Sequence, residues 1–332
     1  MKSLVTGAAG FIGSSIVREL LKDGREVKVL VRKSSNTKNI DGLEFERAYG
    51  DVRDKEAVKA ALKGCDTFYQ AAALYEFWGH SEKEYHDVNV EGTKASLQAA
   101  LEQGVPKVVH TSSEAALGCH GRDCLAKEDA EFNAWKTGAH YNVSKYLAEV
   151  EALKFAQKGL PVVVVNPGVV IGVRDIKPTP SGRMILDVLN KKVAGYMDGG
   201  GNYVDVEDVA RGHILAAAKG KIGEKYILGN ANLSVLEFYT LVGDVAGIQP
   251  PKLRFPYPAV IAASYLYLLI ASVTKNPPPV TPAFARLGHM YAYFDSSKAV
   301  RELGMPQTPI RTTVEKAVNW FRENGYVKAA AH

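Results

Sequence analysis

The sequence predicts an α/β protein built on a doubly wound parallel sheet. Strand-like and helix-like stretches alternate over the first two thirds of the chain, which is typical of parallel sheets with right-handed crossovers. The helical segment 12–22 has its apolar residues on one stripe, as expected for a helix that lies against a sheet. The segment 162–165 is valine at every position, as expected for a strand that is buried on both faces.

The elements follow from these patterns in chain order. Short β-branched runs predict strands at residues 3–6, 27–31, 45–49, 67–70, 107–111 and 161–166. Longer amphipathic patterns predict helices at residues 12–22, 55–62, 93–102 and 143–157. We therefore expect a dinucleotide-binding domain over residues 1–173, with contributions from later segments.

The alternation ends near residue 174, where prolines separate short helices and loops. We expect residues 174–328 to form a smaller substrate-binding lobe laid over the sheet. Its last helix is predicted at residues 313–324, where Val314, Ala317, Val318 and Phe321 share one face.

Composition and charge exclude several classes of protein. Of the 332 residues, 46 % are hydrophobic and 23 % are charged, which is ordinary for a globular protein and not for a disordered or fibrous one. The net charge of +5 is spread along the chain, so no basic stripe indicates nucleic-acid binding. The eight histidines lack metal-ligand spacing, and we expect no metal.

The cysteines and the N-terminus indicate a cytoplasmic protein. The chain has three cysteines, Cys65, Cys119 and Cys124. An odd number cannot pair completely in disulfides, which suits a reducing compartment. The chain opens directly into a strand-like run, without the basic and apolar regions of a secretory signal.

Residues 259–273 form an uncharged run that is shorter than the ~20 residues needed to span a bilayer. The first interpretation is a helix that is buried or covered by a partner. The others are peripheral contact with a membrane surface, or a helix that borders a pocket for an apolar substrate.

A glycine-rich turn between the first strand and the first helix predicts a dinucleotide site. Gly7 permits a tight turn, Gly10 allows the backbone to approach a pyrophosphate, and Gly13 allows the helix to pack close to the strand. The amides near Phe11 and Ile12 then face the anion at the positive end of the helix dipole. Three glycines alone could form a structural turn, but here strand, turn and helix follow in the required order.

The end of the second strand bears on the choice of cofactor. It lacks the acidic residue that holds the ribose hydroxyls of NAD, and it offers Arg32, Lys33, Ser34 and Ser35 instead. These residues suit the 2′-phosphate of NADP, and NAD is the alternative cofactor. The purely structural interpretation is a solvated basic turn that binds no cofactor. Asp51 could accept a hydrogen bond from the adenine amine or cap a helix.

Tyr141 and Lys145 are the candidate catalytic pair. Four residues apart on a helix, they share one face, and a nearby ammonium is expected to lower the pKa of a phenol from its ordinary value of about 10. Tyr141 could then exchange the proton that accompanies hydride transfer. The pair alone is common by chance, but 111–113 adds three hydroxyls at the carboxyl edge of the sheet, where ligands of such folds bind.

Taken together, these motifs resemble the extended short-chain dehydrogenases over nearly the whole chain. The resemblance includes the T-G-x-x-G-x-x-G start, Asp51, the alanines 71–73, Asn89, Ser113, the Tyr141/Lys145 pair and the Asn-Pro-Gly at 166–168. The sequence looks most like the dihydroflavonol-reductase and 3β-hydroxysteroid-dehydrogenase branch. Segments 175–183 and 320–326 are similar to the hopanoid-associated sugar epimerases.

The resemblance implies a Rossmann-like fold and particular roles for residues. It implies that Ser113 is the catalytic hydroxyl, that residues 167–170, with Pro167 and Val170 at their ends, contact the nicotinamide, and that Lys145 holds its ribose. It also implies a homodimer formed through helices 91–102 and 141–157. The residues implied to line the cofactor are Phe11, Ile12, Arg32, Asp51, Val52, Ala71 and Ala73.

Two departures from the branch concern Tyr69, where relatives carry His, and Glu114, where the branch has a small or apolar residue. An acid matches Glu114 in sugar dehydratases, but Ala115 lacks their following glutamate, which disfavours dehydration. The sequence therefore predicts an NADP(H)-dependent oxidoreductase that acts on a small, apolar carbonyl or alcohol through Tyr141. The alternatives are a nucleotide-sugar epimerase with tightly bound NAD and, more weakly, a non-catalytic dinucleotide-binding regulator.

Overall fold

The computed structural model describes residues 1–75, 78–274 and 276–327. Its strands, in chain order, are β1 (Lys2–Thr6), β2 (Glu26–Val31), β3 (Glu46–Tyr49), β4 (Thr67–Gln70), β5 (Lys107–Thr111), β6 (Val162–Pro167), β7 (Val169–Ile171), β8 (Gly200–Asp205), β9 (Lys225–Leu228), β10 (Ala231–Ser234) and β11 (Tyr291–Ala292). Its helices are α1 (Phe11–Lys22), α2 (Lys55–Leu62), α3 (Glu82–Tyr85), α4 (Gly92–Gln103), α5 (His140–Gln157), α6 (Pro180–Leu189), α7 (Val206–Lys219), α8 (Val235–Ala246), α9 (Tyr257–Thr274), α10 (Pro282–Gly288) and α11 (Ile310–Glu323).

Within these ranges, seven parallel strands form the main sheet, in the order β3-β2-β1-β4-β5-β6-β9. The chain runs outward from β1 through β2 to β3 and then crosses to β4 on the other side of β1. This reversal leaves a crevice beyond the carboxyl ends of β1 and β4, which is where open α/β sheets bind ligands. The predicted fold class is confirmed.

Two apolar cores cover the two faces of the sheet. Helices α1 and α7 pack on one face, and α2, α4 and α5 pack on the other. Along β6, Val163 and Val165 belong to the first core, whereas Val162 and Val164 belong to the second. Because successive side chains of a strand point to opposite faces, a strand between two cores must be apolar at every position, which explains the valine run.

The predicted elements agree with the observed ones to within a few residues. The largest difference in the first half is at α5, which begins at His140 and not at residue 143. The last helix, α11, also begins three residues before its predicted start and ends one residue before its predicted end. Periodicity locates the middle of a helix well but carries little information about its ends.

The C-terminal half builds a second layer. Strands β7, β8, β10 and β11 form a four-stranded sheet, and α6, α8 and α11 enclose a separate apolar core beside it. Strand β9 and helix α7 return to the main sheet, as contributions from later segments would do. The domain limits at 173 and 174 stay a prediction, and Lys328, the predicted end of the lobe, lies outside the described residues.

Helix α9 contains the uncharged run at 259–273, and the expectation of a helix buried within the chain is wrong. Among its residues only Ser264 and Ala271 are buried. Large apolar side chains such as Leu269 and Val273 are 67 % and 82 % exposed. By length and composition alone, α9 is the one helix in the described part of the chain that could cross a membrane. A partner-covered helix and a membrane-surface helix stay predictions.

Candidate functional site

A cavity of about 800 Å³ lies at the carboxyl edge of the main sheet. Its size is in the usual range for small-molecule and cofactor sites. It brings together the candidate catalytic residues and, apart from Lys33, the candidate cofactor-binding residues that the sequence indicated. These are Gly7, Gly10, Phe11, Ile12, Gly13, Arg32, Asp51, Val52, Ala71, Ala73, Ser113, Tyr141, Lys145, Pro167 and Val170.

One end of the cavity is formed by the glycine turn. Gly7 has a φ of 67°, which favours glycine. A Cβ on Gly13 would lie 2.1 Å from the carbonyl oxygen of Gly7, so only glycine allows α1 to approach the strand this closely. Helix α1 begins at Phe11 with Gly10 as its N-cap, and no side chain caps its first turn. Its amide groups are therefore available to an anion, and this end of the cavity fits the pyrophosphate of a dinucleotide.

The basic turn after β2 divides into two parts. Arg32, Ser34 and Ser35 line the cavity, together with Asn36, which the sequence analysis missed. Lys33 is exposed and is not among the lining residues. The cavity therefore receives one cation and several hydroxyl and amide groups from this turn, a set that fits a phosphate or the ribose hydroxyls of a dinucleotide.

The carboxylate of Asp51 binds the side chain of Arg53, two residues further along the chain. The guanidinium of Arg53 donates hydrogen bonds to both carboxylate oxygens of Asp51, at 2.9 Å each. This contact, together with a hydrogen bond from the Arg53 amide, keeps the pKa of Asp51 below its usual value. Asp54, not Asp51, caps helix α2, accepting from the amides of Glu56 and Ala57. The helix-capping interpretation of Asp51 is therefore wrong.

Helix α5 supplies Tyr141 and Lys145 at the other end of the cavity. Lys145 is 4 % exposed, and its ammonium donates a 2.7 Å hydrogen bond to the carbonyl oxygen of Thr111, at the end of β5. A hydrogen bond between the side chains of Tyr141 and Ser113 places a phenol and a hydroxyl together. Two donors that meet at one point in a cavity can bind one carbonyl oxygen.

The pKa values of this pair differ from the expectation. Burial in the cavity raises the pKa of Tyr141 to about 12, although its hydrogen bond with Ser113 acts in the opposite direction. Burial also lowers the pKa of Lys145 to about 8, against the raising effect of Glu149. Lys145 donates its hydrogen bond to the Thr111 carbonyl, and burial is the largest influence on the pKa of the phenol. Tyr141 is therefore protonated at neutral pH and suited to donate a proton.

Glu149, one turn beyond Lys145 on α5, was missed by the sequence analysis. Its carboxylate is 3 % exposed and accepts 2.6 Å hydrogen bonds from Ser112 Oγ and Asn166 Nδ2. It also forms an ion pair with Lys225 of β9 at 3.2 Å. A buried carboxylate needs several partners to offset its lost hydration. The signal available in the sequence was its spacing, since Tyr141, Lys145 and Glu149 are four residues apart.

Asn89 fixes the loop after β4 to α5. Its side-chain oxygen accepts from the amide of Leu74 at 2.7 Å, and its nitrogen donates to the carbonyl of Leu74 at 2.9 Å. The same nitrogen donates to Ser144 Oγ on α5. Tyr75, next along the loop, then lies edge-on to the Tyr141 ring, with 6.4 Å between the centroids. No pattern in the sequence indicated Tyr75.

The two histidines near the motifs have different surroundings. His110 is buried in β5, where Nδ1 contacts the side-chain oxygen of Gln70 and burial lowers the pKa of the imidazole well below its usual value. His140 is exposed at the start of α5 and lies 3.7 Å from Glu82. Neither lines the cavity. No cluster of three or more potential metal ligands occurs within the described residues.

Comparison with known proteins places the chain among nicotinamide-dependent proteins. The profile of the NAD dependent epimerase/dehydratase family matches residues 3–229. A protein of Synechocystis sp., provisionally named a dihydroflavonol 4-reductase, is 37 % identical over 98 % of this chain and 95 % of its own length. Sterol demethylase protein B of Methylococcus capsulatus is 33 % identical over 98 % of this chain and its full length.

A solved structure shows the same architecture. The crystal structure of gox2253 superposes with a TM-score of 0.88 and 39 % identity, over 98 % of this chain and 99 % of that one. The likeness therefore extends through the second sheet and the C-terminal helices as well as the main sheet.

Proposed function

The chain belongs to the NAD dependent epimerase/dehydratase family and is an NAD(P)-dependent oxidoreductase of the extended short-chain type, and we propose that it reduces the carbonyl group of a small apolar substrate with NADPH. One observation carries the proposal. The phenol of Tyr141 is protonated at neutral pH and meets the Ser113 hydroxyl inside the cavity. Reduction of a carbonyl requires a proton donor at its oxygen, and this pair supplies one.

The chain's own groups have distinct tasks in this reaction. Ser113 and Tyr141 donate hydrogen bonds to the substrate carbonyl oxygen, and Tyr141 gives up its proton as negative charge develops there. The charged Lys145 side chain, next on the same face of α5, stabilises the phenolate that remains. When bound, the nicotinamide cofactor supplies the hydride.

The lining of the cavity beyond this pair supports an apolar substrate. Leu117 lines it from the segment after β5, and Phe284, Leu287, Met290 and Phe294 line it from the C-terminal lobe. A site of this kind gains affinity from apolar area and orients its ligand with a few polar groups. The name of the Methylococcus relative, which refers to a sterol, agrees with such a substrate.

The preference for NADP(H) over NAD(H) rests on Arg32. This guanidinium lines the cavity where an acidic residue would hold the ribose hydroxyls of NAD and repel a 2′-phosphate. A guanidinium can bind a phosphate through two parallel hydrogen bonds.

Epimerisation with retained NAD is the second candidate, because the family includes epimerases. An epimerase must keep its cofactor through oxidation and re-reduction of one substrate. A non-catalytic regulator has less support, since the tyrosine, lysine and serine all line the cavity.

We also propose that α9 contacts a lipid bilayer. It has no charged residue over 18 residues and is about 27 Å long at 1.5 Å per residue, close to the ~30 Å thickness of a hydrocarbon core. Lys252 and Lys275 flank the helix in the sequence and suit anionic headgroups. Helix α10 packs against α9 and contributes Phe284 and Leu287 to the cavity, which connects this surface to the proposed apolar substrate.

The catalytic pair gives the first prediction. Tyr141→Phe removes the proton donor but not the packing, so kcat for ketone reduction should fall by roughly a hundredfold or more, with little change in the Kd for NADPH. Lys145→Ala should impair both. Tyr146→Phe, on the same helix but not in the cavity, is the matched control. A Tyr141→Phe enzyme that keeps half the wild-type kcat in stopped-flow assays would contradict the mechanism.

Cofactor choice gives the second prediction. Arg32→Ala should weaken NADPH binding roughly tenfold to a hundredfold and leave NADH binding nearly unchanged, because only NADPH carries the 2′-phosphate. Lys33→Ala makes the same change of charge outside the cavity and should have little effect on either. Calorimetric titration of NADPH and NADH into the wild type and the two variants measures the six dissociation constants. If Arg32→Ala weakened the binding of NADPH and NADH equally, the guanidinium would not bind the 2′-phosphate.

Cofactor retention separates the two candidate reactions. A reductase releases its oxidised cofactor in each cycle, so the purified protein should carry little NAD and should consume NADPH in proportion to product. The measurement is the absorbance and mass spectrum of the small molecules released on denaturation, followed by NADPH oxidation assays with apolar and sugar carbonyls. Stoichiometric NAD with no carbonyl-dependent NADPH oxidation would favour the epimerase.

The exposed helix gives the fourth prediction. The protein should sediment with vesicles of phosphatidylcholine and phosphatidylglycerol, because α9 buries its apolar side chains in the interface. Leu269→Lys combined with Val273→Lys should abolish sedimentation. Ile222→Lys, an equally exposed apolar position outside the helix, should not. Vesicle-independent dimerisation that the double variant abolishes would assign α9 to a second copy of the chain.

A further inference from the structure

Besides the phenol of Tyr141, a buried carboxyl group lies in the cavity and has no role in the proposed reaction. Glu114 follows Ser113 directly, and its side chain lines the cavity. Its Oε2 atom is buried and forms no hydrogen bond with the described residues. Burial raises the pKa of the Glu114 carboxyl well above its usual value, which favours its protonated form.

The position of this oxygen is close to the reacting groups. Oε2 lies 3.3 Å from the place that a Cβ on Gly168 would occupy, beside the segment between β6 and β7. That Cβ would also come within 2.4 Å of the Asn202 backbone oxygen, so only glycine leaves room here. The carboxyl also acts electrostatically on Tyr141, on Cys119 and on Tyr203 of β8, raising the pKa of each. Glu114 thus lies between the catalytic tyrosine and the C-terminal lobe.

An unpaired buried oxygen is costly. Leaving such a group unsatisfied costs roughly 1–3 kcal/mol, and buried polar atoms in native proteins nearly always have a partner. A ligand that enters the cavity can supply that partner. A neutral carboxyl both donates and accepts one hydrogen bond. It can therefore pair with a ligand's hydroxyl or carbonyl oxygen, whereas an ionised carboxylate can only accept. Ser113 and Tyr141 already serve the reacting carbonyl oxygen, which leaves Glu114 for a second oxygen.

We propose that the Glu114 carboxyl is a specificity-determining group that hydrogen-bonds a second oxygen of the substrate, carried one or two carbons from the reacting carbonyl. The inference rests on the proposed reductase function and narrows its substrate class. The preferred substrates are apolar α-hydroxy ketones, diketones or β-keto esters, and simple ketones of the same size are reduced less efficiently. A site built to bond a substrate oxygen discriminates strongly against the analogue that lacks it.

The test uses ketones that differ in one oxygen-bearing group. Benzoin and deoxybenzoin form one such pair, and ethyl benzoylacetate and hexanophenone form another. The quantity measured is the ratio of kcat/KM for the oxygenated ketone to that for the simple ketone, in wild type, Glu114→Gln and Glu114→Leu. The fraction of active enzyme is common to both substrates and cancels within each ratio. The intrinsic reactivity of each ketone is the same in every variant, so it cancels when ratios are compared between variants.

Glu114→Leu should lower the ratio about tenfold or more for at least one pair, since the partner of the second oxygen is lost. Glu114→Gln keeps a donor and an acceptor at the same place and should keep the ratio within about threefold. A ratio that Glu114→Leu leaves unchanged for both pairs overturns the inference. If the wild type reduces the simple ketones, that result leaves the proposed reductase function intact.

Two further measurements do not depend on turnover. Calorimetric titration of the same pairs into NADP⁺-saturated protein should show tighter binding of the oxygenated member, and a wild type that binds neither or both equally overturns the inference. Infrared difference spectra should show a protonated carboxyl band that is absent from Glu114→Gln and that shifts when benzoin binds. A wild type without this band has an ionised Glu114, which also overturns it.

Discussion

The buried ammonium of Lys145 imposes the strongest constraint on the site. An isolated charge of this kind in a protein interior is very costly, and only several well-placed partners make it tolerable. The carbonyl of Thr111 accepts from Lys145, and Glu149 follows one turn later on α5. Glu149 in turn is held by Ser112, Asn166 and Lys225. These contacts tie α5 to strands β5, β6 and β9, so compensation of one charge sets the position of α5 on the sheet.

At the end of the cavity formed by the glycine turn, the structure is constrained by close packing and not by charge. Helix α1 approaches the first strand so closely that a single methyl group on Gly13 would overlap the carbonyl of Gly7. That approach brings the uncapped first turn of α1 to the edge of the cavity. Both constraints act at the same edge of the sheet, because the order of strands reverses around β1 and opens the crevice there.

The sequence predicted most of the fold, because periodicity and buried valines are local signals. It also indicated cavity residues that lie far apart in the chain, since each belongs to a short motif with its own chemistry. It could not indicate the pairing of Glu149 with Lys225, which depends on β9 lying next to β6. Nor could it reveal that α9 is exposed, because an apolar run looks the same whether it is buried or not. The pKa of Tyr141 was misjudged because spacing gives the distance to a cation but not the degree of desolvation.

That desolvation bears on the direction of the chemistry. Burial acts against any charged form, so it favours the protonated forms of Tyr141 and Glu114 and lowers the pKa of Lys145. Oxidation of an alcohol would need the phenolate before reaction, which this environment opposes. Reduction needs the phenol, and produces the phenolate only as the substrate oxygen takes up the proton. At neutral pH Lys145, with a pKa of about 8, is still charged and can stabilise that phenolate. Burial therefore favours proton donation by Tyr141 over proton uptake by it. For this reason carbonyl reduction is placed ahead of alcohol oxidation.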